Sequence, residues 1–421
     1  MKRTPILIAL LMYAAALLLG CGNNYSNLTK GSTGPVPHRA LVAQDISAGS
    51  AAASLQIVNA DTDIKQLVGA MAPSSSWSPK KMVVTPNRNS TVVFSSLNPS
   101  DHSLFVANNL KSTVGAAIVL PGMTQSFVVS PDSTTVYAAV PTAPVTGQSP
   151  GAVAVISLGA NAITAVIDIP AVQFLAVGSL GNRILGFSAN SDSVAVITPS
   201  NIGTSQPVVT FVGGFDRPVW AYFSNGDNTA YVVNCGAECG GLQASVQALD
   251  LTTSPPTPGA AYNVPAATEA LVNGSTMYLA GTPVPASPCT GKTQATTCGL
   301  LTTFDIPSMS VVGTPAAITD GYHDRFAMGA NGQLFVGANT CTELTGTEVR
   351  GCLSVFNTLT GAVVVPPDSG DVTGIQPIAT RLVVYVVQGG ELQIYDTSTD
   401  TLQATQVDIN GDATDVKTVD E

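Results

Sequence analysis

Residues 127–140, FVVSPDSTTVYAAV, hold the pattern that decides the fold: an apolar run, a Pro-Asp turn, then a second apolar run carrying a tyrosine. Apolar runs of four to seven residues, rich in Val, Tyr and Phe and broken by turn residues, read as β-strands. The second run recurs along the chain as STVVFSS at 90–96, NRILGFSA at 182–189, TAYVVNCG at 229–236, TMYLAGT at 276–282, QLFVGANT at 333–340 and LVVYVVQGG at 382–390. The run before it recurs as KMVVTPN, QFLAVGS, VWAYFSN, EALVNGS and RFAMGAN, and a third strand follows as VAVISLG, VAVITPS, SVQALDL, LLTTFDI, LSVFNTL and LQIYDTS. Four strands per unit at a spacing of roughly 40–55 residues is the signature of a β-propeller. A lone sheet cannot bury both faces, so the units stack around an axis.

The termini indicate how the ring closes. RALVAQD at 39–45 matches the second strand of a unit, and DATDVKTV at 412–419 sits where a first strand belongs, so the tail strand completes the blade begun by the head. Counting that shared blade gives eight units of about 48 residues; seven, at about 55, is the alternative. Residues 39–421 form one all-β domain of four-stranded antiparallel blades on this reading.

Composition agrees. The 421 residues are 45% hydrophobic and 10% charged, with 39 Gly and 28 Pro, which excludes a coiled coil and a disordered tail protein. A net charge of −11 removes the cationic surface that a nucleic-acid partner requires. Lys2 and Arg3, an apolar run from Ile6 to Leu19 and small residues after it have the layout of an export signal over residues 1–20. Leu18-Leu19-Gly20-Cys21 resembles the lipobox of bacterial lipoproteins, which implies cleavage before Cys21 and acylation of its thiol. Residues 21–38 then read as a lipidated flexible tether. Without Lys2 and Arg3, 14 basic residues remain against 27 acidic. Gly22 is not the aspartate of an inner-membrane retention signal, so the outer membrane or cell surface is the expected address, with a periplasm-facing protein also accommodated.

The repeats themselves, YVVN at 231–234, FVAN at 105–108, FVVSPDSTTVY at 127–137 and LQIYDTSTDTLQATQVDI at 392–409, resemble the YVTN-type propellers of bacterial and archaeal surface proteins, close to the lactonase-like and cytochrome d1-like superfamily. The resemblance implies the propeller fold and leaves activity open, since that scaffold serves many purposes.

Function in such a ring collects where the innermost strands begin and the second-to-third-strand loops emerge. Those loops are long in the later units: 235–243, 281–298 and 339–350. Every cysteine except Cys21 lies in or beside them. Cys235 with Cys239, Cys289 with Cys298 and Cys341 with Cys352 pair naturally within loops, although six cysteines permit 15 connectivities. Zinc-type spacing is missing, so no metal is expected. With three histidines, no haem-attachment motif and no nucleophile elbow, no cofactor is expected either.

The constellation that stands out is Tyr322-His323-Asp324-Arg325 just before an innermost strand, with Asp216-Arg217 at the equivalent place two units earlier. Both face the channel mouth on this reading. They could bind an anionic or sugar-like ligand, open a lactone with His323 as base, or simply staple adjacent blades. Lys80 and Lys81 read as a solvated surface pair, and Trp220 as core. The sequence therefore supports a lipid-anchored extracytoplasmic binding or scaffold module, not an enzyme in the first instance, whose partner is a protein or cell-envelope ligand. A lactonase-like hydrolase using Asp216, Arg217, His323 and Asp324 is the alternative.

Overall fold

A computed structural model describes residues 36–46, 53–67, 69–98, 101–224, 226–285, 289, 297–342, 351–404 and 406–420. The export signal, Cys21 and most of the tether lie outside these residues. The described chain is all-β apart from short 3-10 turns, and its eight antiparallel sheets form an eight-bladed propeller. From inside outward, blade 1 is Asp412–Thr418, Arg39–Asp45, Ser54–Asn59 and Ile64–Lys65. Seven further blades follow in chain order, their innermost strands being Pro79–Val84, Ser126–Val129, Val172–Val177, Pro218–Phe223, Glu269–Asn273, Tyr322–Met328 and Val372–Ile378.

Strand alternation explains the stacking. Successive side chains point to opposite faces of a sheet, and here both faces are covered by neighbouring blades. Along Arg39–Asp45, Ala40 and Val42 join Tyr385, Ile394 and Val416 in the apolar layer between blades 8 and 1. Leu41 and Ala43 turn the other way, toward Trp77, Met82 and Phe105 of the layer between blades 1 and 2. In blade 3, Val136 and Ala138 face blade 2 while Tyr137 and Ala139 face blade 4. This two-sided burial is why the repeats read as nearly continuous apolar runs.

The closure is built from chain ends. Arg39–Asp45 pairs antiparallel with Asp412–Thr418. Arg39 clamps Asp420 with two side-chain hydrogen bonds of 2.6 Å and also donates to the Asn109 carbonyl in blade 2. On the other side of blade 1, Asp63 accepts both guanidinium nitrogens of Arg381 from blade 8, at 2.5 and 2.7 Å, and the Tyr385 hydroxyl. The blades at the seam are thus joined by ionic contacts as well as by a shared sheet.

Six innermost strands share one irregularity. A register shift skips Thr414, Lys80, Gln173, Val219, Asp324 and Thr373, each the second or third residue of its strand. Such bulges add a residue that has no ladder partner and re-aim the side chains beside it. All six lie at the end of the strand where the chain enters the blade.

Candidate functional site

The bulges set the composition of the central channel. Strict alternation would put Asp324 and Arg325 on opposite faces of their strand, but the extra residue lets both line the channel together with Tyr322. Lys81 and Glu269 reach the same depth from blades 2 and 6. Two cavities, about 680 Å³ toward the loop-bearing mouth and about 460 Å³ beyond it, share Lys81, Glu269, Asp324, Arg325 and Trp220. These residues form a charged collar around the axis.

Within the collar, Arg325 donates through Nη1 to Asp324 Oδ2 at 2.8 Å and through Nε to the Thr373 carbonyl of blade 8 at 2.8 Å. Lys81 Nζ donates to the Gln125 carbonyl at 2.8 Å. Asp324 Oδ1 is buried and has no partner among the described residues. Lys81, Glu269, Asp324 and Arg325 border the channel yet are surrounded by protein, so their charged forms are poorly solvated. Burial pushes Glu269 up to about 8, and the nearby Asp324 carboxylate adds to the effect. Burial and then Arg325 bring Lys81 down to about 8. Asp324 is raised by burial against the opposing pull of Arg325 and Lys81. Burial and the adjacent carboxylates also raise Tyr322, which keeps its hydroxyl a donor. Burial thus favours a neutral Glu269 beside the Lys81 and Arg325 side chains at neutral pH.

Above the collar, three disulfides join Cys235 to Cys239, Cys289 to Cys298 and Cys341 to Cys352. Hydrogen bonds link these loops into one arc. Asp216 accepts the Leu242 and Gln243 amides at 2.9 and 2.7 Å, and Gly241 is required there because a Cβ would lie 1.9 Å from Asp216 Oδ1. Glu238 accepts the Thr282 amide at 2.8 Å, and Asp320 accepts the hydroxyls of Thr297 and Thr342, the neighbours of Cys298 and Cys341. Burial raises Glu238 to about 7. A side cleft of about 360 Å³ opens beside the mouth, lined by Arg217, Phe174, Asn190, Cys239 and Tyr322.

The structure separates the residues singled out in the sequence. Tyr322, Asp324 and Arg325 line the channel. Arg217 lines the side cleft and pairs with Asp192 of blade 4 at 3.4 Å, a blade-to-blade staple. Asp216 faces its own disulfide loop. His323 is not a channel residue: it has no solvent exposure, its Nε2–H donates to the Thr319 carbonyl at 3.0 Å, and burial lowers it to about 4. Ordinary strand alternation turns His323 into the interface with blade 6 while Tyr322 and Asp324 face the axis, and the bulge at Asp324 is what brings Arg325 round to join them. It is therefore not placed to act as a base at the mouth.

Lys80 pairs with Asp45, but Lys81 belongs to the collar and not to a solvated pair. Trp220 is half-buried and borders both cavities. Glu269 went unremarked in the sequence; its one signal was a carboxylate opening an otherwise apolar innermost strand, EALVN. Among the described residues, no three His, Cys, Asp or Glu side chains gather in a way that could hold a metal ion.

No family model and no curated relative matches the sequence. The fold does have solved counterparts. The dihydro-heme d1 dehydrogenase NirN in complex with DHE is similar at TM-score 0.63 and 11% identity, over 92% of this chain and 76% of its own. Hydrazine synthase of Kuenenia stuttgartiensis is similar at TM-score 0.54 and 11% identity, over 77% of this chain and 94% of its own. The periplasmic gluconolactonase PpgL of Pseudomonas aeruginosa matches at TM-score 0.48 and 12% identity, over 90% and 98%. At these identities the likeness is one of fold alone.

Proposed function

We propose that this protein is an exported, lipid-anchored binding module that captures a small organic anion in the mouth of its central channel. The observation that carries the reading is the collar: Lys81 and Arg325 converge on the axis, Glu269 and Tyr322 offer hydroxyl donors beside them, and the Asp324 oxygen without a partner can accept from a ligand hydroxyl. The linked disulfide loops supply a preorganised rim, which lowers the ordering cost of binding. Three disulfides and the Leu18–Cys21 motif support export to an oxidising compartment, outer membrane or cell surface.

Calorimetric titration of the purified chain with acetate, glycolate and gluconate tests this. At least one acid is expected to saturate below about 10 mM, and Arg325→Ala or Lys81→Ala to weaken it roughly tenfold or more, the loss of a charge-assisted hydrogen bond. Unchanged affinity in both variants would overturn the reading.

A second reading, a lactonase-like hydrolase, is favoured by one feature: Glu269 and Asp324 are neighbouring carboxyl groups with different environments, as an acid and a base require. Turnover of δ-gluconolactone above its spontaneous hydrolysis, lost in Asp324→Asn, would support it.

A further inference from the structure

Beyond the collar the channel continues into a second cavity that has apolar as well as charged wall. The cavity of about 460 Å³ is walled by Val83, Trp220, Tyr222, Leu271, Phe326 and Ile375. All are innermost-strand residues, and all but Ile375 keep part of their surface open to the cavity instead of packing fully between blades. Two ion pairs also line this cavity, Asp324 with Arg325 at the collar and Asp415 with Lys417 beyond it, and the second is engaged with the backbone. Asp415 accepts the Met82 amide at 2.7 Å and the Val416 amide at 2.8 Å, with Lys417 Nζ at 3.6 Å. A chamber with aromatic and aliphatic walls, reached through a cationic collar, is complementary to a molecule with one anionic end and one hydrocarbon end. A purely polar acid would fill the mouth and leave this apolar surface wet.

We propose that the channel takes an amphiphilic carboxylate, its head held at Lys81 and Arg325 and its hydrocarbon part in the chamber beyond. This rests on the channel-mouth reading and names the ligand class for that site. Lys81 and Arg325 border both cavities, so a head group they hold leaves its tail free to extend past the collar. Glu269, raised by burial, does not repel such a head at neutral pH.

The test is a chain-length series. Linear carboxylates from butanoate to octanoate are titrated into the full chain carrying Cys21→Ser, so that no detergent is needed, with gluconate, hexan-1-ol and hexylamine alongside. Affinity is expected to rise roughly fourfold per added methylene until the chamber is full, the factor for burying one methylene. The alcohol and the amine should bind at least about tenfold more weakly than hexanoate. Leu271→Trp, which fills the chamber, should flatten the series and leave gluconate binding unchanged. Val83→Trp is the second chamber variant should the first not fold.

Flat affinity across the wild-type series, with gluconate still bound, would overturn the amphiphile assignment and leave the anion site standing. Failure of every acid would overturn both. Tighter binding of hexylamine than of hexanoate would overturn the carboxylate head.

Discussion

The neutral state of Glu269 can be tested through stability. An ordinary glutamate titrates at 4.5, and this one is pushed up to about 8. Between those values the unfolded chain releases the proton and the folded chain keeps it, so stability falls as pH rises through that window. From 4.5 to 7, at about 1.4 kcal/mol per pH unit, the loss would reach about 3 kcal/mol. Glu269→Gln removes the titration while keeping size and shape.

Urea unfolding followed by fluorescence at pH 4.5, 5.5, 6.5 and 7.5 should show the variant gaining on the wild type steadily with pH. Comparing the two proteins cancels Glu238, raised to about 7, and His323, lowered to about 4, since both keep these groups. If Glu269 were instead ionised and paired with Lys81, the variant would lose ground as pH rose. A constant difference, or a falling one, would refute the buried neutral carboxyl.

Two further outcomes are expected. Asp63→Ala should lower stability by about 3 kcal/mol in the same urea assay, because Arg381 keeps only the Ala60 carbonyl and the Tyr385 hydroxyl loses its acceptor; a change below about 0.5 kcal/mol would mean the seam is held by the shared sheet alone. Cys21→Ser should move the protein from the membrane to the soluble fraction on cell fractionation, and unchanged retention would contradict the lipid anchor.

What the sequence made legible follows from what kind of signal each feature leaves. The blades were readable because each second strand buries both faces, giving runs such as TTVYAAV whose spacing repeats. The closure was readable because RALVAQD begins at the second position of a unit, which is meaningful only if something else supplies the first. The collar was not readable in the same way. Lys81, Glu269 and Asp324 are spread over more than 240 positions, share no motif, and meet only because each lies near the start of an innermost strand.

The tetrad at 322–325 was visible as a cluster, but its orientation was not. A bulge breaks the alternation on which such an orientation depends: His323 points into a blade interface as alternation dictates, but Arg325, just past the bulge, joins Asp324 at the axis. Asp216 and Arg217 lie three residues before Val219 and Trp220, the blade 5 counterparts of Asp324 and Arg325, and serve a disulfide loop and a neighbouring blade instead.

The shared bulge has a consequence for how this ring can change. Lys80, Gln173, Val219 and Asp324 border the cavities at the mouth but contribute nothing to strand pairing. Each can be exchanged without loosening a ladder, so the chemistry of the opening is uncoupled from the integrity of the blades. A library randomised at these four codons would sample many ligand preferences on a scaffold whose folding is left almost untouched, and descent with modification has had the same freedom.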